Sequence, residues 1–266
     1  MGIMSTTTQP AKPKRRWYQF SLKTLMVVMT VFVLVLALWR QEPHLVQRRA
    51  AAQLEANGAN ITWVGIPPFQ NVVQVTLTAS HRRREKRPQV AISNDIALIR
   101  HFTSLRTLSL WGVPVSDSDM VNLSRLNQLE TLDLAHTNVT GDGLRQLSNL
   151  PSLTRLTTSG RCRSDIVLKR VSQISSLEDL EVREHGILES EFVHLRKLPN
   201  LKRLYLKHHR ITDVGIDQLG SLTTLETLYI SRNSSVVTDE TLAKLKKAMP
   251  NCKIDRLPWP GGHGEK

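Results

Sequence analysis

Apolar residues recur along most of this chain with a period of 24. Leu108, Leu132, Leu156, Leu180, Leu204 and Leu228 form one column. Leu105, Leu129, Leu153, Leu177, Leu201 and Leu225 form a second, three residues earlier. A third, Leu110, Leu134, Thr158, Val182, Leu206 and Ile230, follows the first by two. Alternation with period two predicts a short strand, whose successive side chains face opposite sides. Val115, Val139, Ile187 and Ile211 come next, followed by Met120, Leu144, Leu168, Phe192 and Ile216. Leu123, Leu147, Val171, Leu195 and Leu219 stand three later, and Leu126, Leu150, Ile174, Leu198 and Leu222 close the unit. Spacing by three predicts a short α or 3₁₀ helix. One unit is therefore a strand, a turn, a short helix and a return.

A single unit of this kind cannot bury its leucines. Stacked units can, through parallel strands about 4.8 Å apart and one continuous apolar core. The pattern predicts an α/β solenoid with parallel strands on a concave face and short helices on the convex face. Six coils run over residues 99–245, and Met249, Cys252 and Ile254 supply a seventh strand as a C-terminal cap. Val72, Val75 and Leu77 repeat the strand spacing 33 residues before the first coil. This predicts a capping coil with an inserted loop over 81–88 and a helix carrying Asp95, Ile96 and Ile99. Ser116-Asp117, Thr140 with Asp142, Ser164-Asp165, Thr212-Asp213 and Thr238-Asp239 precede the helical segments. They read as N-caps, because a calcium loop needs several oxygen ligands in one short loop. Thr158 and Arg163 interrupt apolar columns in the third coil and the fourth is also irregular, predicting looser packing there.

The N-terminal region follows a different pattern. From Leu25 to Trp39 no residue is charged, and with Trp17, Tyr18, Phe20 and Leu22 the apolar stretch covers residues 17–39, interrupted by Lys23. That length suits a membrane-spanning helix, with Trp17, Tyr18 and Trp39 at the interfaces and Lys23 reaching the headgroups. Lys12, Lys14, Arg15, Arg16 and Lys23 precede the stretch, against Arg40, Arg48 and Arg49 after it. This asymmetry predicts a single-pass membrane protein with its N-terminus in the cytoplasm and its repeats outside. A cleaved signal peptide ending at Val35-Leu36-Ala37 is the rival reading. The expected organisation is a basic tail over 1–16, the span over 17–39, and a linker with N-terminal cap over 40–71. The solenoid with its caps follows over 72–257, and a tail over 258–266. Within the linker, residues 46–56 read as a helix stopped by Asn57-Gly58, and Trp63 and Phe69 as a cover for the first coil.

The net charge is +13, but its distribution argues against nucleic acid as the partner. Residues 1–97 hold 13 Lys and Arg against 4 Asp and Glu, whereas residues 98–254 hold 21 against 17. Most of the excess thus flanks the apolar stretch or lies in the loop of Arg82, Arg83, Arg84, Lys86 and Arg87. That loop is a candidate contact for anionic lipid or an envelope polymer. It lacks the interleaved aromatics that stack bases. Cys162 and Cys252 lie four coil steps apart, roughly 19 Å, too far for a disulfide. No nucleotide-binding, hydrolase or zinc motif occurs, and no cofactor or metal is expected. His208-His209 is a weak metal candidate beside Arg210, and Asp179, Glu181 and Glu184 read as a solvated acidic group.

Residues alternating with the core leucines point to the concave face. Trp111, Asp133, Arg155, Glu181, Arg183, Arg203, Tyr205, Lys207 and Tyr229 are the candidates there for binding a protein or peptide. Arg203, Tyr205, Lys207 and Tyr229 are expected to be neighbours, and tyrosine and arginine are enriched at interface hot spots.

Two segments resemble a known group. Ile211-Thr212-Asp213-Val214-Gly215-Ile216, continuing to Leu219 and preceded by L-x-x-L-x-L, resembles the ITDxGLxxL class of bacterial leucine-rich repeat proteins. The stretch from Arg16 through Trp17, Phe20 and Ser21 to Leu25 is similar to the anchors preceding such repeats in planctomycete-type proteins. The resemblance implies a curved solenoid used for protein–protein interaction, without enzymatic activity. The Asn, Cys or Thr at the inner turn of that class is matched by Thr137 and Asn233 and not by Val113, Arg161, His185 or His209.

Overall fold

The 24-residue step in sequence becomes one step across a sheet. The computed structural model describes residues 22–65, 71–77, 89–159, 166–183, 188–207, 211–231 and 238–257, leaving out the side chains of 22–24, 34–43, 89–91, 231 and 257. Nine strands, β1 (Asn60–Val64), β2 (Asn71–Thr76), β3 (Thr107–Ser109), β4 (Thr131–Asp133), β5 (Arg155–Ser159), β6 (Asp179–Arg183), β7 (Arg203–Lys207), β8 (Thr227–Ser231) and β9 (Lys253–Leu257), lie side by side in chain order. β1 pairs antiparallel with β2, and every later pair is parallel. Leu108, Leu132, Leu156, Leu180, Leu204 and Leu228 occupy one register row, extended by Val75 on β2 and Ile254 on β9. All six leucines are fully buried. Each contributes about 1.5–3 kcal/mol relative to exposure, so the column is a principal source of stability. At the entrances of β4 to β8 two successive N–H groups share one carbonyl of the preceding coil, as Glu130 and Thr131 share that of Arg106. The same bridge recurs onto Glu130, Thr154, Glu178 and Lys202, so the stacking is also a backbone ladder.

The returns are short α or 3₁₀ segments, as spacing by three predicts. Helix α1 is Leu22–Ala56 and α2 is Gln89–Ile99, then α3 (Gly141–Leu144), α4 (Val167–Val171), α5 (Asp213–Gly220) and α6 (Asp239–Ala248). The first, second and fourth coils use 3₁₀ segments at Asp117–Leu123, Arg145–Asn149 and Glu189–Lys197. Their inward residues, including Met120, Leu123, Leu147, Phe192 and Leu195, join one continuous core. The described parts of the third and fourth coils are buried like the rest, while residues 160–165, with the Arg163 interruption, and 184–187 lie outside the described residues. Thr158 itself is buried, and Leu156, Leu168, Val171, Leu180 and Val182 surround the interruption with full burial.

The chain divides into two compact units, Met1–Glu42 and Pro43–Lys266. Helix α1 ends where Asn57-Gly58 stops it. The Ala59 N–H bonds to the Leu54 carbonyl at 2.9 Å and the Gly58 N–H to that of Glu55 at 2.9 Å, with Gly58 at φ 92°. This is a Schellman cap, whose left-handed residue favours glycine. Ala50, Ala51 and Leu54 are buried in the solenoid core, and Trp63 packs partly buried against it. Helix α1 thus includes the stretch over 46–56 that the sequence predicts as helical, and buried Ala50, Ala51 and Leu54 hold its C-terminal end against the core. Among the described residues no helix is long and apolar enough to cross a membrane. Of the span expected over 17–39, residues 17–21 and the side chains of 22–24 and 34–39 lie outside the described residues.

The expected N-caps are only partly realised. Thr140 and Thr238 accept N–H bonds from Asp142 and Thr241 at 3.3 and 3.1 Å. The acidic partner at the first turn does something else. Asp117 receives the N–H and hydroxyl of Thr140, one coil on, at 2.6 and 2.5 Å. Glu189 receives the N–H of Thr212 at 2.5 Å and its hydroxyl as well. These carboxylates clamp consecutive coils together. Ser164-Asp165 lies outside the described residues.

Candidate functional site

The strand face opposite the core is built by the same registers. Arg155, Asp179, Arg203, Thr227 and Lys253 form one row across β5 to β9. Asp133, Thr157, Glu181, Tyr205, Tyr229 and Asp255 form the next. Ser159, Arg183 and Lys207 form a third. Period-two alternation makes these side chains share one face, and parallel registry puts residues a coil apart in contact.

The rows bind through charge. Asp179 lies between Arg155, at 3.0 Å, and Arg203, whose Nη2 stands at 2.8 Å and whose Nε contacts the other carboxylate oxygen. The Asp179 side chain is only 6% exposed, so the two arginines replace its water. In the next row Glu181 takes Arg183 at 2.8 Å and Lys207 at 2.5 Å. The solvated acidic group expected of Asp179, Glu181 and Glu184 is thus corrected for two members. Each carboxylate is sequestered between two cations: registry brings Arg155 and Arg203 of the neighbouring coils against Asp179, while Glu181 meets Lys207 of the next coil and Arg183 of its own strand. Glu184 lies outside the described residues.

Ionisation follows from these contacts. Burial opposes charge on Glu181, but hydrogen bonds from Lys207 and Arg183 outweigh it and hold the carboxyl below its ordinary value. Burial pushes Asp133 up, despite the Ala135 N–H at 2.9 Å and the charge of Arg183. Arg203 is held more firmly protonated by its hydrogen bond with Asp179. Burial and the neighbouring Tyr229 push the Tyr205 hydroxyl up, so it stays a neutral donor at neutral pH.

Tyr205 and Tyr229 stack with ring centroids 4.3 Å apart and an interplanar angle of 10°. The candidates Glu181, Arg183, Arg203, Tyr205, Lys207 and Tyr229 therefore meet across β6 to β8, with Arg155 joined to them through Asp179. Asp133 stands two strands away. Trp111 is not among them. It follows β3, four strand steps or about 19 Å from β7, and meets His136 edge-on at 5.6 Å and 80°. His136 and Gly112, one period apart, both have positive φ, 58° and 70°. A histidine in that region carries a steric cost that glycine avoids, and its N–H is held by Ser159 Oγ at 2.9 Å.

Asp179 was missed as a site residue, as were Lys253 and Asp255, which pair at 2.8 Å on β9. The signal for Asp179 lay in the sequence, as opposite charges at Arg155, Asp179 and Arg203 separated by one period. The loop of Arg82, Arg83, Arg84, Lys86 and Arg87, together with Cys162, His208 and His209, lies outside the described residues. Among the described residues no group of three His, Cys, Asp or Glu side chains could hold a metal ion.

A family model described as At1g61320/AtMIF1, LRR domain, matches residues 69–257. No curated protein matches the chain. Among solved structures, the chain is similar to a leucine-rich repeat protein of Leptospira interrogans, with 18% identity and a TM-score of 0.38, over 60% of this chain and 45% of that one. It is similar to an internalin of Listeria monocytogenes with 18% identity and a TM-score of 0.33, over 64% of this chain and 58% of that one. A TLR13–ssRNA13 complex matches with 14% identity and a TM-score of 0.38, over 69% of this chain and 32% of that one. The chain thus spans about half the length of the first two.

Proposed function

The chain belongs to the leucine-rich repeat family described as At1g61320/AtMIF1, LRR domain, and from that premise we propose a non-enzymatic module that binds a protein or peptide on its strand face. The observation that carries this reading is the stacked pair Tyr205 and Tyr229 set among ion-paired cations. Large aromatic side chains bury much area at little entropic cost, and neighbours that already hold them reduce the cost of ordering on binding. Repeats that stack leave the strand face as their broadest regular surface. Pull-down with the full chain tests the assignment. Arg203→Glu combined with Tyr205→Ala is expected to lose the partner while thermal unfolding remains cooperative. Retention of the partner by that folded variant would move the binding surface elsewhere.

A second observation supports a membrane anchor. Leu25, Met26, Val27, Val28, Met29, Val31, Phe32 and Val33 are each more than half exposed on α1. An apolar helix exposed on every side suits lipid better than water. We propose that this segment anchors the protein, with the N-terminus cytoplasmic and the repeats outside, in accord with the charge asymmetry about it. Protease digestion of sealed vesicles carrying a C-terminally tagged chain is the test.

A further inference from the structure

Around the tyrosine pair the strand face carries more positive than negative charge, and the excess has a spacing. Asp179 is shared by Arg155 and Arg203, and Glu181 by Arg183 and Lys207. Two cations share one carboxylate in each group, so each keeps one positive charge. Their β7 members, Arg203 and Lys207, stand four residues apart, about 13 Å along an extended strand. Tyr205 lies midway between them, with Tyr229 stacked beside it on β8. The excess is bounded on both sides. Asp133 faces it from β4, and on β9 Lys253 is matched by Asp255.

An extended peptide has the same metric. Its residues i, i+2 and i+4 share one face, with the outer two about 13 Å apart. Resting on the reading of this face as the binding surface, we propose that its partner is an extended acidic peptide, with two carboxylates four residues apart flanking an aromatic residue. The aromatic side chain packs against Tyr205 and Tyr229. The carboxylates take up the charge that Asp179 and Glu181 leave uncompensated, so partner and face neutralise each other. A single-stranded nucleic acid would instead present an anion at every nucleotide to a basic groove along its path. Here the positive charge is interrupted by the tyrosine.

Fluorescence anisotropy of the full chain in detergent, with labelled Glu-Ser-Phe-Ser-Glu, tests the inference. Controls carry Gln for both Glu, or both Glu side by side. The spaced acidic peptide is expected to bind at least about tenfold more tightly than the Gln peptide, and to weaken as salt rises. Tyr205→Ala is expected to weaken it by about tenfold. Glu181→Gln is expected to tighten it several-fold, by releasing Arg183 and Lys207, a gain that misfolding cannot mimic. Equal binding of acidic and neutral peptides, no tightening in Glu181→Gln, preference for a single-stranded oligonucleotide, or no peptide binding would each overturn the inference. The Gln peptide binding as tightly, yet lost in Tyr205→Ala, would leave the strand face as the binding surface and remove only its acidic preference. A pulled-down partner indifferent to Tyr205→Ala and Arg203→Glu would remove both.

Discussion

Asp133 and Glu181 occupy the same row of the strand face, two strands apart, and ionise in opposite directions. Glu181 has two cations at hydrogen-bond distance, and these outweigh its burial. Asp133 is governed by burial, and the charge of Glu181 opposes its ionisation further. The linkage has opposite signs. Glu181, depressed in the folded state, stabilises above its unfolded value and loses that contribution as pH falls through the folded one. Asp133, raised in the folded state, contributes stability below its unfolded value and loses it as pH rises through the folded one. Asp133→Asn keeps an acceptor for the Ala135 N–H and removes the charge. Its melting temperature relative to wild type should therefore rise between about pH 3 and about pH 6, across the carboxylate range. A difference that stays flat over that range would mean Asp133 titrates as an ordinary surface carboxylate. Candidate residues on this face were legible from alternation alone. Their pairing was not, because a single coil read by itself hides the neighbour that supplies the countercharge, as at Asp179.

At the scale of the element, the turn motif is a joint between coils. Asp117 clamps Thr140, and Gly143 leaves room for it. A Cβ on Gly143 would stand 2.3 Å from Asp117 Oδ1 and 3.1 Å from its Cα. A Cβ on Gly215 would likewise stand 2.8 Å from Glu189 Oε1, in the equivalent position three periods along. The acid, the threonine one coil later and the glycine after it thus form one unit. Asp117→Ala is expected to cost about 1.5–3 kcal/mol, the worth of hydrogen bonds to a charged group. Gly143→Ala alone should also destabilise. The double variant should cost at least about 0.5 kcal/mol less than the sum, because removing the carboxylate relieves part of the clash. Additive losses in urea unfolding would show that the clamp and the glycine act independently. N-capping captures the local half of this motif, as Thr140 and Thr238 do accept N–H bonds. The contact across coils escapes a rule that looks only a few residues ahead.

For the whole molecule, the question is which compartment the strand face meets. On the proposed orientation, which rests on the charge asymmetry about the apolar stretch, the repeats lie outside the cytoplasm. In vesicles of known orientation, protease is expected to digest the tagged repeats only when added on the non-cytoplasmic side. Protection there, with digestion from the cytoplasmic side, would reverse the orientation and direct the partner search inward. Recovery of the chain in the soluble fraction would remove the anchor.

The sequence by itself determined the repeat, its period and the leucine columns, because burying an apolar stripe leaves a periodic trace in the chain that bears it. It likewise determined which residues share the strand face, since alternation depends only on backbone geometry. Tertiary structure decided the rest. Stacking brought Arg155, Asp179 and Arg203 into one ion-paired row, set Tyr205 against Tyr229, separated Trp111 from both, and made clamps between coils of Asp117 and Glu189. Those contacts join residues a full coil apart, and their energies depend on side-chain reach and on water excluded between neighbours. Only the registered strands supply either.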